Sequence, residues 1–160
     1  MPTQKVSAVV ALGANLGDAL ETVQQAIQDL SSLQQARLIK ASSFYRTAPH
    51  QAQGPDFINA VVLLETALSA HQLLRALQNL EQAAGRTRDY QNAPRTLDLD
   101  LIFYGDQVLN SPDLTLPHPR WRERAFVLYP LAEICPERVS SELMRAVQDQ
   151  TVERISKGVV

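Results

Sequence analysis

The sequence predicts an α+β fold of βαββαβ order, an antiparallel sheet backed by two helices. Two observations carry this. Short β-branched runs alternate with two amphipathic stretches whose apolar residues recur at three- and four-residue steps, and the second and third strand-like runs follow one another with no helix between them. A length of 160 residues with 45% hydrophobic content suits one domain, taken as 1–160, long enough to bury a core.

The first strand is VSAVVALG, Val6 to Gly13, short, β-branched and closed by glycine. In GDALETVQQAIQDL the residues Leu20, Val23, Ile27 and Leu30 form a helical stripe, with Asp18 and Glu21 as a capping pair. ANLGD between them is strand-turn-helix punctuation; no Gly-Lys-Ser/Thr follows, so it is not a Walker phosphate loop. A second strand covers Arg37 to Tyr45. The polar stretch RTAPHQAQGPD, Arg46 to Asp56, is long for a plain connection, and long loops in compact domains often carry function. FINAVVLLET is a nearly continuous apolar strand holding one amide, Asn59. SAHQLLRALQNLEQAAG has a Ser69/Gln72 capping box, a Leu73, Leu77, Leu80 stripe and Gly85 at its stop. LDLDLIFYG is the fourth strand and DQVLN a short return strand. PHPRWRERAFVLYPLAEICPE reads as mixed loop and short helix, and SSELMRAVQDQTVERI as a last helix. A four-stranded sheet covered on one side leaves its other face free for loops and a site.

Composition narrows the function classes. A net charge of −2 gives no global positive field for nucleic acid or an anionic membrane surface. No apolar run approaches the roughly 20 residues that span a bilayer, and MPTQKVSAVVALG lacks the basic and hydrophobic regions of a secretion signal, so a cytoplasmic protein is expected. Cys135 is the only cysteine, which rules out an intramolecular disulfide and a thiol-rich metal site. Twelve of the fifteen cations are arginines, and Arg86, Arg88, Arg95, Arg120, Arg122 and Arg124 crowd into one region. Arginine suits bidentate grips on phosphate; a genome that writes Arg for Lys throughout explains the count equally well.

The chemistry concentrates in NAPRTLDLDLIFYG. Strand alternation puts Asp98 and Asp100 on one face, about 7 Å apart, with Leu97, Leu99 and Leu101 on the other. Like charges so placed repel unless a cation sits between them, and an oxygen-only donor set favours Mg²⁺ shared with substrate phosphates. The same pattern fits an ordinary strand with a solvated acidic face. Arginines on both sides, in GRTRDYQNAPR and LPHPRWRER, match the needs of polyphosphate transfer, which rests on positioning and electrostatic stabilisation. His50, His71 and His118 are too scattered for a zinc motif, and no Ser-His-Asp or Cys-His layout appears. Asn59, an amide inside an apolar strand, requires a partner, either backbone or a ligand.

Taken in order, VALGANLGD, SSFYRTAP, DFINAVVLLET, LEQAAGRTR, APRTLDLDLIFYG and LPHPRWRERAFVLYPLAEICPE make the chain resemble the 6-hydroxymethyl-7,8-dihydropterin pyrophosphokinases of folate biosynthesis, over about residues 6 to 137. The resemblance implies a ferredoxin-like α+β domain, expected as a monomer. It also implies transfer of the β,γ-diphosphate of ATP to the pterin hydroxymethyl oxygen, with release of AMP. By matching position, Asp98 and Asp100 would hold two Mg²⁺, and Asp98 would stand nearest the pterin hydroxyl. Arg86 and Arg95 would stabilise the charge in flight, assisted by Arg88. Gln78, Glu81, Thr115, His118 and Arg124 match nucleotide-side positions. Phe57 and Phe126 match an aromatic pair around the pterin, and Asn59 with the Thr47–Ala48 backbone matches its hydrogen-bonding edge. The chain departs from the pattern at Asn92, where some relatives carry tryptophan, at His50–Gln51–Ala52, and at Asp113, where some carry a basic residue. Two other classes compete: a non-catalytic ferredoxin-like module with a solvated acidic edge, and a different Asp-x-Asp metal-dependent transferase. The arginine loops disfavour the first, and Asn59 with Phe57 and Phe126 disfavours the second.

Overall fold

The computed structural model describes residues 5–48, 55–86 and 97–156. In chain order these form β1 (Val6–Ala14), α1 (Ala19–Ser31), β2 (Ala36–Ala41), β3 (Phe44–Thr47), β4 (Phe57–Thr66), α2 (Ala70–Arg86), β5 (Asp98–Tyr104), β6 (Leu109–Ser111), β7 (Leu114–Leu116), α3 (Ala125–Ile134), α4 (Ser141–Ala146) and β8 (Val152–Ser156). The main sheet runs β5-β1-β4-β3-β8, with β2 also on β4, and every pairing is antiparallel. β4 therefore lies between β1 and the strand after α1, and β1 lies between β4 and the strand after α2. This is the ferredoxin-like α+β order that the sequence predicts.

The near-continuous apolar runs of β1 and β4 fill the middle of the sheet because both of their faces are buried. On one face Val10, Leu12, Val62 and Leu64 pack with Val23, Ile27 and Leu30 of α1 and Leu73 and Leu77 of α2. Each helix starts as its side chains dictate. The Asp18 carboxylate accepts from the Glu21 N–H at 3.1 Å, and Ser69 and Gln72 exchange both bonds of the capping box.

The opposite face differs from expectation. Val9, Ala11, Val61, Ile102 and Phe103 are covered by Val127, Leu128 and Leu131 of α3, so the face is not free along its length. Alternate residues of β1 and β4 are apolar on both sides, and the second set needs a cover of its own. What remains for a site is the end of this face where polar residues replace apolar ones.

Four boundaries also shift. β1 runs through Gly13 to Ala14 instead of stopping at the glycine. The second predicted strand is broken at Ser42 and Ser43 into β2 and β3. Gly85 lies inside α2, which continues to Arg86. The expected last helix is only the six residues of α4; VERIS instead forms β8 on the edge of β3, where Arg46 and Glu153 meet across the strands at 3.0 Å. An edge strand exposes unpaired backbone groups, and satisfying them outweighs a weak local helical pattern. The return strand predicted in DQVLN pairs as β6 with β7, in a hairpin of its own.

Candidate active site

Register builds the site. Gly13 pairs with Asn59 on β4 and with Asp98 on β5, so Asn59, Gly13 and Asp98 stand in one row across three strands. The next row is Val61, Ala11 and Asp100. With strands about 4.8 Å apart, the Asn59 and Asp98 backbones lie about 10 Å from one another. Leu97, Leu99 and Leu101 all enter the core beneath α1 and α2, so alternation turns Asp98 and Asp100 to the opposite face, as predicted. Asp98 is exposed and Asp100 half-buried.

Asn59 is buried, and its Nδ2 donates to Thr47 Oγ1 at 2.9 Å. The partner is thus a side chain on β3, and not the backbone or ligand that the sequence leads one to expect. Gly13 completes the arrangement, because a Cβ there would stand 3.2 Å from Asn59 Oδ1. The glycine lets the amide lie close against β1. Phe57 shares the face of Asn59 by alternation and is partly buried, and Ala48 is exposed just past β3.

On the acidic side, Arg124 Nη1 comes to 3.8 Å from Asp100 Oδ2, and the same guanidinium lies 5.5 Å from the Phe126 ring centroid. Phe126, on the first turn of α3, is partly buried against the second core. His118 is tethered by its own N–H to the Ile102 carbonyl at 2.9 Å. Its Nδ1 accepts from the Arg120 N–H at 3.1 Å, which leaves Nε2 to carry the proton of the neutral ring. Burial pushes the His118 imidazole below its ordinary value; Asp100 opposes this, and Arg124 and Arg120 reinforce it.

Asp100, Thr115, His118 and Asp113 rim a groove of about 280 Å³ whose floor includes Leu74, Leu99, Leu101 and Leu114. Glu81 of α2 reaches the acidic strand: its Oε2 accepts from the Leu99 N–H at 2.8 Å, between the two aspartates in sequence. Gln78, three residues earlier and so on the same side of the helix, is exposed. Asp113 accepts from Ser111 Oγ at 3.0 Å and lies 3.3 Å from His71 Nε2, so this rim carries a carboxylate.

A family model for 7,8-dihydro-6-hydroxymethylpterin-pyrophosphokinase (HPPK) matches residues 9–136. The chain belongs to that family. Among curated pyrophosphokinases it is similar to the 2-amino-4-hydroxy-6-hydroxymethyldihydropteridine pyrophosphokinase of Synechocystis sp., 46% identical over 138 residues that make up 86% of this chain and 71% of the relative. The enzyme of the same name from Pseudomonas aeruginosa is 41% identical, over 91% of this chain and 94% of the relative. In fold it resembles the wild-type HPPK-DHPS of Plasmodium falciparum solved with pteroate, with a TM-score of 0.70 at 13% identity, over 93% of this chain and 43% of that longer one.

Of the pyrophosphokinase positions matched by sequence, the structure gathers Thr47 and Asn59 on one side of Gly13, and Asp98 and Asp100 on the other, the latter beside Arg124, Thr115 and His118. Arg86 is the final residue of α2, while Arg88 and Arg95 lie outside the described residues, as do Asn92 and His50–Gln51–Ala52. Asp98 and Asp100 supply oxygen donors alone, and among the described residues no group of three or more His, Cys, Asp or Glu side chains forms a metal cage. Two carboxylates on one face suit Mg²⁺, which keeps waters and takes phosphate oxygens. Gly13 joins this row through its pairing and its lack of a Cβ, a part that the sequence does not single out. The glycine in VALGAN reads as the end of the first strand, whereas the strand runs through it to Ala14.

Proposed function

We propose that this pyrophosphokinase transfers the β,γ-diphosphate of ATP to the hydroxymethyl group of 6-hydroxymethyl-7,8-dihydropterin, giving AMP and the pterin diphosphate, as a cytoplasmic, Mg²⁺-dependent monomer. The observation that carries this is the row Asn59, Gly13, Asp98, which sets a constrained amide and a carboxylate pair on one sheet face about 10 Å apart. A flat heterocycle rich in donors and acceptors needs an in-plane polar edge and apolar faces. Asn59 with the Thr47–Ala48 backbone supplies the edge in this reading, and Phe57 and Phe126 supply the faces.

Asp98 and Asp100 would hold the Mg²⁺ ions, whose contribution when bound is to neutralise the phosphate oxygens and orient them for in-line displacement at Pβ. The protein's own residues do the rest. Arg124, already beside Asp100, adds positive charge next to the acidic pair, and Thr115 and His118 line the groove proposed for the nucleotide. A neutral His118 whose proton sits on Nε2 presents a donor suited to a phosphate oxygen. The Glu81 carboxylate, bonded to the Leu99 N–H, fixes α2 against the acidic strand, and Gln78 stands beside it for the nucleotide. Arg86, Arg88 and Arg95 are assigned to the charge that develops on the group in flight.

The deciding experiment incubates the protein with ATP, Mg²⁺ and hydroxymethyl-dihydropterin and identifies the nucleotide formed. AMP with a pterin diphosphate is expected; ADP, or no turnover, overturns the proposal.

A further inference from the structure

We propose that Glu133 on α3 is a positioning residue for the pterin edge, acting through the register of β3; this rests on the functional reading above. Four side-chain and backbone groups converge on its carboxylate. The Ser43 N–H donates to Oε1 at 2.9 Å, Ser43 Oγ to Oε2 at 2.8 Å and Tyr45 Oη to Oε1 at 2.7 Å, while Arg154 Nη2 of β8 stands 3.9 Å from Oε2. One side chain of α3 therefore ties together the break between β2 and β3, β3 itself, and the edge strand.

The break matters because it sets which way β3 faces. Ala41 pairs with Val62 and Tyr45 with Asn59, so this side takes one more residue than β4 over the same interval, as a bulge does. Ser42 stays on β4, its N–H donating to the Val61 carbonyl and its Oγ accepting from the Val61 N–H, each at 2.9 Å. Ser43 is the residue whose N–H turns to Glu133, and it is 1% exposed, so without the carboxylate that donor would be buried unpaired. Losing the bulge would slip β3 by one residue against β4, and a slip of one residue moves every side chain to the other face. Thr47 would leave the face on which its Oγ1 receives the Asn59 amide. Tyr45, bonded to Glu133 and paired with Asn59, is the direct link between the two.

A general stabilising role predicts something different from a positioning role. If Glu133 only held the fold together, its loss would lower the active fraction and leave the affinities of folded molecules unchanged. If it sets the register of β3, the pterin is affected and ATP is not, because the nucleotide groove is built from β5, α2 and the β6–β7 hairpin. The experiment measures thermal unfolding, initial rates and equilibrium pterin binding in the presence of a non-hydrolysable ATP analogue, for wild type, Glu133→Gln, Glu133→Asp, Tyr45→Phe and Ser43→Ala.

For Glu133→Gln we expect the pterin KM and Kd to rise about tenfold, with the ATP KM within about twofold of wild type. Glu133→Asp should recover part of the loss, and Tyr45→Phe and Ser43→Ala, each removing one donor, should show smaller rises of the same selectivity. Unchanged pterin affinity in Glu133→Gln, or equal losses for ATP and pterin, overturns the positioning role. Should Glu133→Gln fail to fold, Tyr45→Phe and Ser43→Ala decide by the same split. A wild-type protein that neither binds the pterin nor forms AMP overturns the functional reading itself, and this inference with it.

Discussion

Gly13 and Asn59 explain each other. An amide in an apolar strand costs free energy unless it is bonded, and it can lie flat against the neighbouring strand only where that strand lacks a Cβ. Replacing Gly13 with alanine would bring a methyl to 3.2 Å from Asn59 Oδ1, so the amide must give way by a few tenths of an ångström. The expected result is a pterin KM raised about three- to tenfold with a small loss of thermal stability, read from initial rates and a melting curve. The acidic pair makes a sharper prediction. Asp98→Ala and Asp100→Ala should each bring turnover below about a tenth of wild type, because neither carboxylate can replace the other about 7 Å away along the strand. Steady-state rates at saturating Mg²⁺ check this, and a variant retaining more than that fraction would remove its aspartate from the proposed Mg²⁺ site.

The helices and strands divide the labour. α2 carries Leu73 and Leu77 into the core and, one turn further along the same stripe, presents Glu81 to the backbone of β5, so its placement governs the acidic strand. Its start depends on the reciprocal Ser69 and Gln72 bonds. Ser69→Ala should lower stability by about 1 kcal/mol, measured by urea unfolding, with kcat essentially unchanged. A large fall in kcat would mean that the cap reaches the site through Glu81. The amphipathic stripes, both capping pairs and the Asp98/Asp100 alternation were readable in the sequence because each depends on spacing within one element. The β2–β3 break was not readable. SSF has no local signature of a bulge, and the carboxylate that stabilises it lies about ninety residues further along the chain.

For the molecule as a whole, the Glu133 cluster predicts how stability responds to pH. Burial pushes the Glu133 carboxyl up, but the bonds from Tyr45 and Ser43 and the nearby Arg154 outweigh it, and the group titrates below the ordinary carboxylate range. Burial, then the bond and charge of Glu133, push the Tyr45 phenol well above its ordinary value, with Arg154 opposing. The signs follow from linkage. The Glu133 contribution is present above the ordinary carboxylate value of 4.5 and is lost as pH falls through its lowered value. The Tyr45 contribution is complete below 10.0 and is lost as pH rises toward the raised value. Melting temperature should therefore be level across neutral pH and fall on both sides, with Glu133→Gln flattening the acid limb and Tyr45→Phe the alkaline limb. Circular dichroism melts from about pH 3 to about pH 11 test this, and limbs that are unaltered in both variants would contradict it.

What the sequence determined by itself was everything written in local period: the βαββαβ order of the core, the apolar stripes of α1 and α2, the shared face of Asp98 and Asp100, and the family motifs. What only the tertiary structure decided was the row Asn59, Gly13, Asp98, the cover of α3 over the second face, and the conversion of VERIS from helix to edge strand. The physical reason is common to all three. Periodicity reports which way a side chain points from its own strand or helix, whereas register, cover and edge pairing are settled by backbone bonds and apolar burial between segments far apart in the chain.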